Sequence, residues 1–341
     1  MTDPTPREVA ITVVKYAIAV AAFGWLLGQI DFQRAAAHFV RIDAQTIAAL
    51  AVVTVGGLVA RFYTWQVVMN PLQRLPLRGA GTIDLVVNFL NQLLPSRLSG
   101  RVAAPFVIRS RTGVAYADAA AVSGVHTGMY ALLYGLTAVV GIAVSYRRLS
   151  VGLLLILALS TAMYVVAGAF VLVAGMNLAL LDPLVGVLVA MARRIPRVGA
   201  AVAERVRKLP EFTASSTASF QQLATDEGVW LRYAVGWTGA LVLAPGIRVW
   251  LLLSTFGVAF EPAVLLPLFL VAAYSVTLLP ITPGGIGVTE ATATAVFVAL
   301  GVPSEVIVPV ILIDRILGVY LPALLGWYPS LSMDLGSVSP E

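Results

Sequence analysis

Long apolar runs constrain the fold of this chain more than any other feature. Runs of about 20 residues or more with few charges lie at approximately 9–30, 44–70, 115–144, 151–176, 229–258 and 303–328. A helix needs about 20 mainly apolar residues to cross the hydrocarbon core of a bilayer, where its own hydrogen bonds satisfy the backbone. The sequence therefore predicts an all-α polytopic membrane protein with about six full transmembrane helices.

The composition limits the other possible classes of function. Hydrophobic residues make up 59% and charged residues 11% of the chain, against about a quarter charged in soluble domains. The net charge of +5 comes from basic residues that lie mostly between the apolar runs, which favours sidedness in a membrane over nucleic-acid binding. Without cysteine and with only two histidines, the chain is expected to hold no metal or other cofactor.

Two shorter apolar regions are broken by proline and glycine. One break follows 83–94, and the other falls within about 262–301. Proline lacks an amide donor and glycine allows backbone angles that other residues resist. Because the pieces on either side are too short to span, we predict two re-entrant helical hairpins. Their turn or hinge residues are Pro95, Gly100, Pro280, Pro283, Gly284, Gly285 and Gly287.

The two breaks are spaced as an internal repeat. Leu93-Leu94-Pro95 precedes Leu278-Leu279-Pro280 by 185 positions, and Arg61 precedes Arg248 by 187. We therefore predict a repeat of span, hairpin and span over 44–148 and 229–328. Because the first hairpin is expected to enter from the cytoplasm and the second from outside, the repeat is inverted, which is typical of transporters. The remaining segments are an N-terminal transmembrane helix and loop (1–43), a linking transmembrane helix with a basic amphipathic cytoplasmic segment (149–228) and a tail (329–341). Residues 213–219 are interpreted as a polar linker.

The sequence around the breaks resembles a known family. The residues on which the resemblance rests are Asn88-x-x-Asn91-x-x-Leu94-Pro95 through Gly100-Arg101, Leu279-Pro-x-x-Pro-Gly-Gly-Ile-Gly-Val-x-Glu290, and Arg315 in the last span. They are similar to the lysylphosphatidylglycerol synthase transmembrane, or flippase-like, family over nearly the whole chain. The resemblance implies a lipid-handling membrane protein, and some members are implicated in handling lipid-linked sugars. Arg101 stands where the family's first motif often has glutamate. No region resembles the aminoacyl-transfer domain, so synthase activity is not implied.

Charged and amide side chains at membrane depth are the candidate substrate-binding residues, because burying them in lipid is costly. They are Arg61, Asn91, Arg97, Arg101, Arg248, Glu290, Asp314 and Arg315. Guanidinium groups suit bidentate contacts with phosphate.

Several of these residues have structural alternatives. Glu290 either binds a cation or proton or satisfies amides at a helix start. Arg315 either binds substrate or pairs with Glu290 across helices. Arg97 fits positive charge at the cytoplasmic mouth, whereas snorkelling is favoured for Arg61 and Arg248. His126 is predicted to be a hydrogen-bonded packing residue.

These features favour a lipid flippase or transporter. It would move an anionic or glycosylated lipid, phospholipid or polyprenyl-phosphate-linked, through a cavity between the repeats. One alternative is an enzyme acting on a lipid phosphate with Glu290 or Asp314 as base, although no catalytic motif is visible. Another is a non-catalytic subunit that holds a glycosyltransferase or synthase through the basic segment 193–208. Lys and Arg density predicts that both termini are cytoplasmic. The resemblance, to a family of bacterial and archaeal proteins, implies the plasma membrane of a prokaryote.

Overall fold

The computed structural model describes residues 42–93, 97–177 and 209–331, without the side chains of 93–102, 209–214 and 283. The predicted first span at 9–30, the amphipathic segment 193–208, Pro95 and most of the tail therefore lie outside the described residues. The described part is helical and contains no strand. Its α-helices are α1 Ala44–Met69, α2 Leu77–Leu93, α3 Arg97–Thr112, α4 Tyr116–Ser145, α5 Val151–Met176, α6 Leu209–Ala224, α7 Glu227–Thr238, α8 Ala244–Thr255, α9 Leu266–Tyr274, α10 Val288–Ala299, α11 Ser304–Arg315 and α12 Leu321–Leu331.

Two π-helical segments connect successive α-helices without interrupting the helical backbone. The π-helical segment Gly239–Leu243 connects α7 to α8, and Ile316–Tyr320 connects α11 to α12. Short 3-10 turns flank α9 at Ala263–Leu265 and Ser275–Leu278, and another covers Pro283–Gly285. The π segments were not predicted from the sequence.

Five of the six predicted spans lie in the described residues, and all five are confirmed as helices long and apolar enough to cross a membrane. They run over Ala44–Met69, Tyr116–Arg148, Val151–Met176, Glu227–Thr255 and Ser304–Leu331. Their outer faces expose large apolar side chains, such as Val52, Leu155, Val166, Leu231 and Leu324. Lipid tails offer an apolar surface suited to these faces. The chain is therefore a multi-pass α-helical membrane protein.

Two pairs of short helices occupy the predicted hairpin positions. Helix α2 packs against α3, and α9 packs against α10. None of the four exceeds 17 residues, which is shorter than most spanning helices. The breaks of the two pairs touch, because a Cβ atom added to Gly284 would overlap the side chain of Gln92. Whether the pairs enter the membrane as re-entrant hairpins stays a prediction.

Helix α6 corrects the prediction of a polar linker at 213–219. Ser216 donates to the Ala117 carbonyl at 3.1 Å, and Ser219 donates to a carboxylate oxygen of Asp118 at 2.6 Å. Phe220 and Leu223 are buried on the same helix, which packs against α4 and α5. The Ser- and Thr-rich composition looked like a linker, but small side chains with hydroxyls also allow close helix packing with satisfied hydrogen bonds.

Candidate functional site

The first of three buried arginine–carboxylate pairs among the described residues joins α1 to α2. Arg61 Nε donates to Asp84 Oδ2 at 2.8 Å, and Nη2 lies 2.7 Å from the same oxygen. Trp65 Nε1 donates to the other carboxylate oxygen at 3.2 Å. The Arg61 side chain is 18% exposed, so it lies inside the helix bundle with a small accessible face.

The second pair joins α8 to α11. Arg248 Nε donates to Asp314 Oδ1 at 2.8 Å, and Tyr274 donates its hydroxyl to Oδ2 at 2.8 Å. The guanidinium fits because glycine faces it: a Cβ atom added to Gly318 would lie 2.6 Å from Arg248 Nη2. Gly318 also accepts a hydrogen bond from Arg61 Nη1 at 3.4 Å through its carbonyl. A π-segment glycine thus separates the first two arginines.

The third pair joins α11 to the start of α10. Arg315 Nε donates to Glu290 Oε1 at 2.7 Å, and Tyr320 donates to the same oxygen at 2.5 Å. The second oxygen, Oε2, accepts from the Gly287 amide at 2.7 Å, which satisfies a free donor at the helix start. The Arg315 guanidinium lies 5.4 Å from the Tyr274 ring centroid. Glu290 therefore fulfils both of its predicted structural roles, and the predicted cross-helix pair with Arg315 is present.

The favoured snorkelling of Arg61 and Arg248 is wrong. Both arginines point into the protein, and Arg248 is only 4% exposed. Their acceptors, Asp84 and Asp314, lie on other helices, so the position of each arginine within its apolar run could not reveal the pair. Snorkelling relieves an unpaired charge near a span end, whereas a carboxylate on a neighbouring helix removes that need.

Two adjoining cavities lie beside these pairs. The first, here the arginine cavity, has a volume of about 80 Å³ open to water-molecule centres, and Arg61, Arg248, Asp314, Arg315, Thr54 and Tyr274 are among its lining residues. The second, the aromatic cavity, has about 120 Å³, and its lining includes Trp65, Asp84, Asn91, His126, Tyr233 and Trp237. One water needs roughly 10–15 Å³ on this measure, so each cavity admits several.

Five buried polar atoms of the cavity-lining residues make no hydrogen bond among the described residues. They are Thr54 Oγ1 and Arg315 Nη2 in the arginine cavity, Asn91 Oδ1 and Trp237 Nε1 in the aromatic cavity, and Arg61 Nη2, whose residue lines both and which has only its ion-pair contact with Asp84. An unmade hydrogen bond in a buried site costs about 1–3 kcal/mol. These donors and acceptors at two adjoining cavities indicate a site that holds water or a polar ligand.

The structure brings five of the eight predicted binding residues to the cavities. Arg61, Arg248, Asp314 and Arg315 line the arginine cavity, and Arg61 and Asn91 line the aromatic cavity. Glu290 is fully buried behind Arg315 and lines neither. The side chains of Arg97 and Arg101 fall outside the described residues.

The predicted turn residues divide between the two breaks. Gly284, Gly285 and Gly287 have positive φ angles of 60°, 74° and 82°, as glycine allows. Pro280 follows the 3-10 turn that ends α9, and Pro283 begins the next one. These backbone positions agree with a turn at the second break. Gly100 instead lies inside α3, so its assignment to the first turn is wrong.

Sequence reasoning missed Asp84 and the aromatic residues of the site. Asp84 is a carboxylate within an apolar run, which was the available signal. The tyrosines and tryptophans carried no distinguishing pattern, because aromatic residues are scattered through all the apolar runs. The prediction for His126 is confirmed: its Nδ1 lies 2.8 Å from the Tyr233 hydroxyl, and its ring packs 3.7 Å from that of Trp65.

Apolar spans around three buried ion pairs and two cavities lined in part by polar side chains define an integral membrane protein with an intramembrane polar site. Comparison with known sequences agrees with this class. The chain belongs to the family described as the lysylphosphatidylglycerol synthase TM region, whose model matches residues 12–326.

A curated relative gives a shorter match. The chain is 40% identical over 55 residues to the UPF0104 membrane protein PH1989 of Pyrococcus horikoshii, and this alignment covers 16% of each chain. No solved structure matches the chain. The family match confirms the resemblance predicted from the two motifs.

Proposed function

We propose that the protein is a lipid translocase that moves a lipid with an anionic or glycosylated headgroup across the membrane. The observation that carries the proposal is the arginine cavity, where three arginines and an unpartnered guanidinium nitrogen meet among apolar spans. Guanidinium groups suit phosphate oxygens. The substrate is a phospholipid or a polyprenyl-phosphate-linked lipid.

The proposed path lies between the two predicted repeats. Helices α1 and α4 of residues 44–148 supply one side of both cavities, and α7, α8 and the two π segments of residues 229–328 supply the other. The headgroup would occupy the cavities while its tails remain against the apolar outer faces. Movement of one half against the other would open the cavities to each leaflet in turn.

The protein is proposed to act as a carrier and not as an enzyme. The two carboxylates suggested as bases are each engaged by an arginine and a tyrosine: Glu290 by Arg315 and Tyr320, and Asp314 by Arg248 and Tyr274. A general base must reach the proton it removes. Glu290 lines neither cavity, which supports a role in holding Arg315 in place.

The proposed orientation places both termini in the cytoplasm of a prokaryotic cell. Contacts gather several helix ends on one side, for example Gln73 with the Thr112 carbonyl and Gln221 with that of Met176. That side carries Arg74, Arg78, Arg109 and Arg111, as the positive-inside rule expects. In a chain without cysteine, Arg74→Cys should react with an impermeant thiol reagent only from the cytoplasm, and Arg147→Cys only from outside. The reverse pattern would contradict this orientation.

Translocation is tested by reconstitution in liposomes that contain fluorescent lipids of several headgroup classes. Wild-type protein should accelerate the exchange of at least one anionic or glycosylated lipid between leaflets. Arg61→Lys should slow it by about tenfold or more, because lysine lacks the planar fork that contacts Asp84 and Gly318 together. Arg147→Lys, an exposed arginine outside the site, should have no effect. The proposal fails if no lipid moves, or if Arg61→Lys is as fast as wild type.

A further inference from the structure

We infer that the transported headgroup combines two chemical parts, a phosphate and an uncharged, hydroxyl-rich ring such as a sugar or cyclic polyol. The phosphate would lie in the arginine cavity and the ring in the aromatic cavity. This inference rests on the proposed translocation and specifies its substrate class. The supporting observation is that guanidinium groups line one cavity, whereas aromatic rings line the other.

The arginine cavity is suited to an anion because guanidinium donors line it. Three arginines line it, with Asp314 as the only carboxylate on its described wall. The other two balancing carboxylates lie away from it: Asp84 lines only the aromatic cavity, and Glu290 lines neither. Each guanidinium is paired with a carboxylate at 2.7 Å, so the lining is distinguished by its hydrogen-bond donors and not by net charge. Arg315 Nη2 is a donor that makes no hydrogen bond among the described residues. A phosphate supplies the acceptors for such donors.

The aromatic cavity is suited to a ring that has both apolar faces and hydroxyl groups. The rings of Trp65, Tyr130, Tyr233 and Trp237 lie on its wall. Aromatic rings present broad apolar faces against which the C–H face of a sugar can pack. Trp237 Nε1 is a donor and Asn91 Oδ1 an acceptor, both buried without described partners. A hydroxyl both donates and accepts, so one kind of group satisfies both atoms.

The two cavities meet, so one headgroup can occupy both. Arg61, Tyr130, Ala240, Leu241, Gly318 and Val319 line the arginine cavity and the aromatic cavity alike. Arg61 is the charged residue in this shared wall. A phosphate joined directly to a ring would place the link beside Arg61, with the phosphate toward Arg248 and Arg315 and the ring toward Trp237.

The same geometry disfavours a cationic headgroup, such as an aminoacylated one. Both carboxylates on the described cavity walls are bound by arginine, Asp84 by Arg61 and Asp314 by Arg248. An ammonium group would find no carboxylate on these walls that is not already bound by an arginine, and the unpartnered Arg315 Nη2 can only donate. The inferred substrate therefore differs in charge from a lysylated lipid.

The substrate class is tested with five fluorescent lipids in the same liposomes. Two carry phosphate and ring: a glucosyl-phosphoryl isoprenoid and phosphatidylinositol, which differ in their tails. Three lack one part or add positive charge: phosphatidic acid, glucosyl diacylglycerol and lysylphosphatidylglycerol. At least one of the first two should move about tenfold faster than each of the last three, and the faster one identifies the tail. If any of the last three moves as fast, the inference is overturned while translocation stands. If none of the five moves, both fail.

Two variants test whether the ring of the headgroup binds in the aromatic cavity. Trp237→Phe removes the unpartnered indole donor, and Asn91→Leu removes the unpartnered acceptor. Each should reduce the rate ratio of the ring-phosphate lipid to phosphatidic acid by roughly five- to tenfold, the size expected for one lost hydrogen bond. Trp250→Phe, on the exposed face of α8, should leave that ratio unchanged. An unchanged ratio in both Trp237→Phe and Asn91→Leu would exclude the aromatic cavity as the ring site.

Discussion

Glu290 and Arg315 form the most completely buried ion pair among the described residues, with side chains 1% and 3% exposed. The carboxylate also holds the Gly287 amide and the Tyr320 hydroxyl. Such a pair adds little net stability compared with apolar residues, because removing two charges from water is costly. Its contribution is to position the guanidinium of Arg315, which lines the arginine cavity and whose Nη2 makes no hydrogen bond among the described residues.

Removing one partner of this pair should therefore be much more damaging than removing both. Glu290→Gln leaves an uncompensated buried charge and should lower the free energy of unfolding by about 3–5 kcal/mol, measured by denaturant titration in detergent micelles. The double variant Glu290→Gln with Arg315→Met should recover much of that loss. Glu305→Gln, at the partly exposed start of α11, should change stability by less than about 0.5 kcal/mol. Equal stability of Glu290→Gln and wild type would contradict this role.

The ion pairs that could be predicted from the sequence were those of charged residues with few alternative roles. A glutamate and an arginine deep in apolar runs had to find partners, and Glu290 with Arg315 was foreseen. Asp314 and Arg315 are adjacent, yet each pairs on a different helix, since neighbouring positions point about 100° apart. The pairing of Arg248 with Asp314 depends on which helices are neighbours, which local sequence does not determine.

Among the helices, the two π segments line both cavities together with α1 and α4. Ala240 and Leu241 of one, and Gly318 and Val319 of the other, line both cavities. A π turn inserts one residue into a helix and is often found at functional sites. Because no sequence signature marks such an insertion, the spans were predictable from hydropathy and the π segments were not.

Gly318→Ala tests the importance of the second π segment. The added Cβ atom would lie 2.6 Å from Arg248 Nη2, so the guanidinium must move away from its place between α1 and α11. Lipid exchange should slow by about tenfold, with a stability loss of roughly 1–3 kcal/mol. Gly56→Ala in α1 is the matched control, because nothing lies within 4 Å of its added Cβ atom. Similar exchange rates for the two variants would count against a functional π segment.

The contact between the two breaks can be tested with a pair of glycines. Gly284 and Gly113 have φ angles of 60° and 73°, so alanine is strained at both. At Gly284 the Cβ atom also overlaps Gln92, whereas at Gly113 nothing lies within 4 Å. Gly284→Ala should therefore lower the melting temperature more than Gly113→Ala does. Equal melting temperatures would show that the second break does not pack on the end of α2.

The positions of both breaks followed from the sequence because Pro95 and the proline–glycine run at 280–287 mark them, although Gly100 lies inside α3 and not in a turn. Helix α6 did not, since its serines and threonines are equally common in linkers, and only packing against α4 and α5 reveals it as a helix. Local composition thus located the interruptions, while tertiary contacts decided which polar segments are ordered.

At the scale of the whole molecule, the proposed translocation requires that the cavities lie between two halves that move relative to each other. Helix α1 belongs to residues 44–148 and the first π segment to residues 229–328, and both line the cavities. An added Cβ atom on Gly239 would lie 3.2 Å from the Cβ atom of Ala60. That separation is close to the range of about 3.5–4.5 Å found in disulfides. The absence of other cysteines makes a single engineered crosslink unambiguous.

The most direct measurement is lipid exchange by Ala60→Cys/Gly239→Cys in liposomes, before and after reduction. The oxidised protein, with its two halves tied beside the cavities, should lose at least about nine-tenths of the exchange rate, and a reductant should restore it. The single variant Ala60→Cys should not respond to either treatment. Exchange by the oxidised double variant at the rate of the reduced protein would contradict transport through cavities that open between the two halves.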